Sequence, residues 1–232
     1  MTNSNEEIFL DDLIGEFYEP VGTNYRSVCQ RGQICWTHIN YADEDLKVWR
    51  PTGLDESRTT VNTFRMENAP GDAFNRRSPL YIPPLETHEE FVVTRAKKRP
   101  VVILNAAPPN PGIKGLRSGG KIYRPICTVV PVFSLVDRIT QKPKYPQEFI
   151  ARVRKMTYPE FFFLPKAGPI SCLSYLRLGE IHASYQPHLE PENVRLRGDV
   201  LTILLGQVRF LLTGEYGGDY QAYREQLLHP ND

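Results

Sequence analysis

From residue 98 onward the chain is written in two hydrophobic periods, and the switch between them limits what it can fold into. Four short apolar runs come first: PVVILN (100–105), PICTVVPVFS (125–134), PEFFFLPK (159–166) and ISCLSYLRL (170–178). Each has the length of a strand, is rich in β-branched or aromatic residues, and is bounded by Pro, Gly or polar residues. The spacing then becomes helical in EPENVRLRGDVLTILLGQVRFLLTG, where Val194, Leu201, Leu204, Leu205, Val208, Leu211 and Leu212 recur at three and four residues. Pro191 suits the first turn of that helix and Gly214 its exit. The pattern predicts a small, mostly β barrel or rolled sheet with one long C-terminal helix, whose apolar stripe packs a core and carries no chemistry.

The N-terminal half is less regular. Residues 1–30 read as a lead-in with one short helix in EEIFLDDLIGEF, where Leu10, Leu13, Ile14 and Phe17 form a stripe. RGQICWTHIN (31–40) reads as a strand opening after Gly32, and EFVVTR (90–95) as another. Between them, residues 50–86 hold PTG, APGD and SPLYIPP with little periodicity, which predicts a long loop or insertion. AAPPNPGIKGLRSGGK (106–121) is a Pro/Gly-rich loop, and YPQEFIARVRK suggests a short helix. The organisation expected is a lead-in over 1–30, a single domain over 31–214 with an insertion at 41–90, and a tail over 215–232. Twenty prolines and an aromatic content of 11% agree with β-structure and loops.

Charge is distributed unevenly. Residues 1–90 hold 16 Asp/Glu and 8 Lys/Arg, whereas residues 91–157 hold 14 Lys/Arg and only two acids, Asp137 and Glu148. No acidic side chain occurs from Phe91 to Val136. Such a block predicts an anionic partner, unless the acidic N-terminal region folds over it and neutralises it. No apolar run is long enough for a membrane helix, and the acidic start lacks the basic and apolar regions of a secretory signal. The four cysteines, Cys29, Cys35, Cys127 and Cys172, form no CxxC pair, as expected of a reducing, cytoplasmic setting without a metal site.

Several of these segments are, in order, similar to the MazF/PemK family of toxin–antitoxin ribonucleases. GQICWTHIN (32–40) resembles the family's opening strand, KRPVVIL (98–104) its Arg-Pro-aliphatic strand, and TVVPVFS (128–134) the strand after it. YPEFFFL (158–164) and SYLRLGEIH (174–182) resemble the next two, and the amphipathic stretch sits where the family has its helix. The matches cover about 110 residues, chiefly 32–40 and 98–213; residues 1–30 and 41–90 have no counterpart in a compact member. The resemblance implies a mainly β fold, an SH3-like barrel of the MazF/PemK/CcdB kind with a long C-terminal helix. It also implies a homodimer, a protein antitoxin with an acidic tail, and cleavage of single-stranded RNA without metal or cofactor.

Metal-free RNA cleavage needs an aligned 2′-hydroxyl, a base to take its proton, an acid for the leaving oxygen, and donors for the phosphorane-like charge. Arg99 matches the family's Arg-Pro arginine and Arg177 its late arginine; either guanidinium suits bidentate phosphate contact. Ser134 matches the serine of a Thr-Ser pair whose threonine is Phe133 here. His88 and Glu89, in ETHEE, are candidates for acid and base, and read equally as a solvated loop. Arg95, Lys97, Lys98, Lys114, Arg117, Lys121 and Arg124 are candidate phosphate contacts. Tyr123, Phe133 and Tyr175 are candidates for base stacking, and His182 for a substitute acid or base. Cys172 and Ser174 stand where members with a catalytic Arg-x-Asp carry those residues, and neither does that work. An endoribonuclease and a catalytically degenerate module that binds nucleic acid or a protein partner are therefore both open readings, as is an unrelated barrel.

Overall fold

The computed structural model describes residues 7–27, 29–41, 44–54, 61–77, 80–81, 84–108 and 124–229. In chain order the elements are α1 (Leu10–Leu13), β1 (Tyr18–Glu19), β2 (Gln33–Asn40), β3 (Lys47–Leu54), β4 (Val61–Asn68), β5 (Leu80–Tyr81), β6 (Pro84–Leu85), β7 (Val92–Val93), β8 (Ala96–Asn105) and β9 (Ile126–Ser134). Then follow α2 (Gln147–Arg154), β10 (Phe161–Leu164), β11 (Ser174–Arg177), β12 (His182–Tyr185), β13 (Glu190–Leu196), α3 (Gly198–Thr213) and α4 (Gly218–Leu228). The chain divides into two compact units, one of residues 1–37 and 98–232, the other of residues 38–97.

The larger unit is built on a curled antiparallel sheet in the order β1-β13-β2-β8-β9-β11-β10. The curl comes from β9, which pairs with β8 along one side and is shared on the other by β12 (126–129) and β11 (132–134). β9 runs through Pro131 without interruption, because Pro131 faces Val101 of β8 and needs no further donor there. Val102, Val130, Val132, Phe162, Leu164 and Leu176 share one buried cluster with Val200, Ile203 and Leu204 of α3. The buried face of α3 is Val200, Ile203, Leu204 and Gln207, so of the stripe expected from the sequence only Leu204 is fully buried: Leu201, Leu205, Val208 and Leu211 pack partly buried against the cluster, Leu212 is exposed, and Val194 lies in β13.

Two expectations about the ends of this unit need correction. The helix does not start near Pro191: that residue lies in β13, opposite Cys35, and α3 begins only at Gly198. The missing Pro191 amide is absorbed beside an irregular register between Pro191 and Arg195. The exit is as the spacing predicts, with Gly214 left-handed at φ 74° and its amide donating to Phe210 O at 2.8 Å. Residues 215–229 are no bare tail, since α4 buries Tyr220 and Leu227 in the same core. The lead-in contributes too: Leu10, Ile14 and Phe17 are buried, and β1 pairs with β13.

The smaller unit contains an order that the sequence hides. Where a loop is expected over 50–86, β3 and β4 form a hairpin, extended by β7 into a three-stranded sheet, with β5 and β6 as a separate pair. The EFVVTR strand shrinks to Val92–Val93. Its apolar core is slight, with Val48 and Ile39 buried. Much of the fixing is ionic: the buried Glu90 carboxylate meets Arg50 at 2.8 Å and Arg76 at 2.9 Å, and Arg50 also reaches Asp72 at 3.3 Å. Charged residues give no apolar period, so this unit leaves a weak trace in hydropathy.

Among the described residues no helix is long and apolar enough to cross a membrane.

Candidate nucleic-acid interface

The site begins with register. Val101 of β8 faces Pro131 of β9, so Arg99, two residues earlier, comes level with Phe133, two residues later. Phe133 in turn faces Tyr175 of β11, and Arg177 lies two residues further along the same face. Side chains at alternate positions share a face, so three strands deliver two arginines and two aromatics to one surface. The Arg99 guanidinium lies 4.4 Å from the Phe133 ring centre and that of Arg177 lies 5.3 Å from it. Phe133 and Tyr175 stack with centres 5.8 Å apart.

Beneath this surface the aromatics are structural. Tyr175 is buried, its hydroxyl lies 3.1 Å from that of Tyr145, and burial pushes its ionisation well above the ordinary range. Phe149 of α2, Tyr158 and Phe161 complete an edge-to-face cluster around it. Edge-to-face pairs each contribute about 0.5–1.5 kcal/mol beyond their burial. Tyr175 is thus a support for Phe133 and is not open to a base. Phe133, half-buried, is the ring left at the surface.

The two arginines differ electrostatically. Arg177 pairs with Glu180, three residues on in the turn that follows β11. No carboxylate among the described residues pairs with Arg99, whose guanidinium lies over the face of Phe133. Glu180 is a carboxylate beside the arginine pair that the sequence reading passed over. Its signal was present as an Arg-x-x-Glu spacing, which closes an ion pair within a single turn.

The other candidates scatter. Ser134 is adjacent to Phe133 on β9 and faces Ser174, so the strand alternation sends it to the opposite face from Arg99; it cannot join the arginines. Ser174 and Cys172 are buried, with the Ser174 hydroxyl donating to Cys172 O at 2.8 Å. His182 faces Val129, four residues along β9 from Phe133 or roughly 13 Å of strand. Its Nδ1 lies 3.0 Å from Glu180 O. Lys98 pairs with Glu190 of β13 at 2.7 Å, and Arg124 is exposed just before β9.

His88 and Glu89 belong to the smaller unit. His88 lies in a turn with Thr87, and the Glu89 carboxylate accepts from the Glu86 amide at 2.9 Å. Arg95, in the same unit, stacks on Tyr41 at 4.5 Å and pairs with Glu44 at 2.7 Å, while Lys97 is exposed. Lys114, Arg117, Lys121 and Tyr123 lie outside the described residues. Scans of the chain against protein-family models, curated proteins and solved structures return no match.

Proposed function

We propose that the larger unit is an SH3-like barrel of the MazF/PemK kind that binds single-stranded RNA across Arg99, Phe133 and Arg177. The observation that carries this reading is one surface ring flanked by two guanidiniums, one of them without a carboxylate partner among the described residues. An unpaired base can stack on a guanidinium plane or an aromatic ring, and the same guanidiniums offer paired N–H donors to the neighbouring phosphates. Burial of the aromatics below holds Phe133 in place before a strand arrives. RNA, a homodimer and an antitoxin-like competitor with an acidic tail enter from the family resemblance.

Anisotropy with a labelled single-stranded RNA octamer in EDTA tests it. Arg99→Ala and Arg177→Ala should each lower the slope of log affinity against log salt by about 0.7, the value of one single-strand phosphate contact. Phe133→Ala should cost about 1–3 kcal/mol of binding with little change in slope. Wild-type affinity and slope in all three variants would overturn the proposal.

Cleavage is the second reading, favoured by Glu180. The carboxylate beside Arg177 offers a proton acceptor for a 2′-hydroxyl, with the arginines as donors to the phosphorane. It replaces His88 and Glu89 in that role. If this reading holds, wild-type protein cuts RNA but not DNA of the same sequence, and Glu180→Gln abolishes cutting while still binding. RNA bound and left intact selects binding alone.

A further inference from the structure

The smaller unit carries an open strand edge. Its three-stranded sheet runs in the order β4-β3-β7, so β4 has β3 on one side and, among the described residues, no strand on the other. Hydrogen bonds fix which way each peptide group of β4 points. The Ala69 amide donates to Leu46 O at 2.8 Å, whereas the Trp49 amide turns away from β4 and donates to Phe91 O at 2.8 Å. Trp49 faces Met66, so Met66 stands where no ladder bond joins β4 to β3. Bonding alternates along an antiparallel pair. Arg65, Glu67 and Ala69 therefore direct their amides and carbonyls to β3, and Phe64, Met66 and Asn68 direct theirs outward.

The side chains of this edge complement themselves. Arg65 and Glu67 share one face of β4 and pair at 2.6 Å, with the Arg65 side chain 68% exposed. On the other face Met66 and Trp49 are exposed, and the Trp49 ring lies 4.4 Å from that of Phe64. Consider a second β4 laid antiparallel along the edge, with the two-fold axis at Met66. Met66 then faces Met66, Phe64 faces Asn68, and Arg65 faces Glu67 on both sides of the axis. The outward peptide groups meet in register, so each facing pair among Phe64, Met66 and Asn68 exchanges two N–H···O bonds. A slip of one residue opposes outward groups to inward ones. The next register on either side sets Arg65 against Arg65 or Glu67 against Glu67, and like charges directly opposite repel. Charge on an open edge ordinarily discourages pairing; alternating sign leaves this one register open.

We propose that β4 is a self-pairing edge, through which two copies of this chain join their three-stranded sheets into one continuous sheet. The contact is isologous, the same patch on both copies. Main-chain bonds supply the attraction, and the Arg65–Glu67 alternation supplies the register and the choice of partner. Met66 meets its counterpart beside the Trp49 and Phe64 rings, which removes apolar surface from water. The edge lies in the segment 41–90, outside the residues that carry the family resemblance. It uses no residue of the Arg99, Phe133 and Arg177 surface, so it stands apart from the RNA reading.

Sedimentation velocity of the full-length protein, from micromolar to submillimolar concentration, tests the association. The mass should move from 26.6 kDa toward twice that value. Amide exchange read by NMR at the two ends of the range locates the contact. The Phe64, Met66 and Asn68 amides should gain protection as concentration rises, while those of Arg65 and Glu67, bonded to β3, are protected throughout. Met66→Pro deletes an amide that points outward and spares the ladder to β3. It should stay monomeric with the Arg65 and Glu67 amides still protected. Arg65→Glu, an exchange at an exposed side chain, sets like charges opposite each other on both sides of the axis. It should weaken association about tenfold at low salt and less at high salt, and it carries the test if the proline disturbs folding. A monomer at every concentration would overturn the proposal. So would a dimer that Arg65→Glu does not weaken, or one in which the Phe64, Met66 and Asn68 amides exchange as fast as in dilute solution.

Discussion

Replacing Gly206 of α3 by alanine should destabilise the larger unit, although alanine is the better helix former. A Cβ at Gly206 would lie 2.6 Å from the Cβ of Tyr220 on α4. Carbon atoms pack at about 3.5–4.0 Å, so α4 must retreat by roughly 1 Å. The clash is with a Cβ, so no side-chain rotation relieves it. Tyr220 is also buried and packed against Phe210 and Tyr216. Overpacking of this kind costs about 1–3 kcal/mol, and the overlap places it toward the upper end. The helix-propensity gain of Gly→Ala returns about 1 kcal/mol. The net loss is therefore about 1–2 kcal/mol, or roughly 2–8 °C in Tm for a chain of this size.

Urea titration in a Trp49→Phe background leaves Trp36 as the sole tryptophan, reporting on the larger unit. Tyr220→Gly supplies the control, because it removes the atom that clashes. In that background Gly206→Ala should change sign and stabilise by about 1 kcal/mol. Equal effects in both backgrounds, or stabilisation in the first, would show that α3 and α4 do not meet at Gly206.

Other expectations test separate parts of the molecule. Glu180→Gln should release Arg177 and tighten RNA binding by up to about fivefold at low salt, since an exposed pair is worth at most about 1 kcal/mol; unchanged binding would mean Arg177 does not touch the strand. Glu90→Gln should leave two guanidiniums without their buried carboxylate, cost about 3–5 kcal/mol, and expose the amides of β3 and β4 to hydrogen exchange. Retained protection there would refute the ionic account of the smaller unit. Bonds from the Thr140 amide and then the Ile139 amide hold the Asp137 carboxyl below its usual range. A depressed folded pKa means the turn gains stability above the ordinary value of about 3.9 and loses it as pH falls through the lower folded value. The Thr140 amide shift should titrate with a midpoint below 3.9; a midpoint at or above it would contradict the bonding.

The sequence by itself determined part of the larger unit's local structure, the body of α3 and the strands of the apolar runs, but not β12, β13 or α4. Strands came from short apolar runs and α3 from its three-and-four spacing, because burial on one face imposes a period that residues 98–213 display. The left-handed exit at Gly214 was legible for the same local reason. Arg99 and Arg177 were identified through the resemblance, and nothing in their spacing said that they meet. Tertiary structure decided what depends on register. It brought both arginines to Phe133, turned Ser134 away, buried Tyr175, and placed Glu180 beside Arg177. It also moved Pro191 into a strand, because β13 finds a partner in β2 that no local pattern announces. The smaller unit was hidden because its order rests on Arg50, Arg76 and Glu90 rather than on apolar alternation. Periodicity records which face of an element is buried; which elements lie side by side is set by pairing and packing across the chain, and these decided the site.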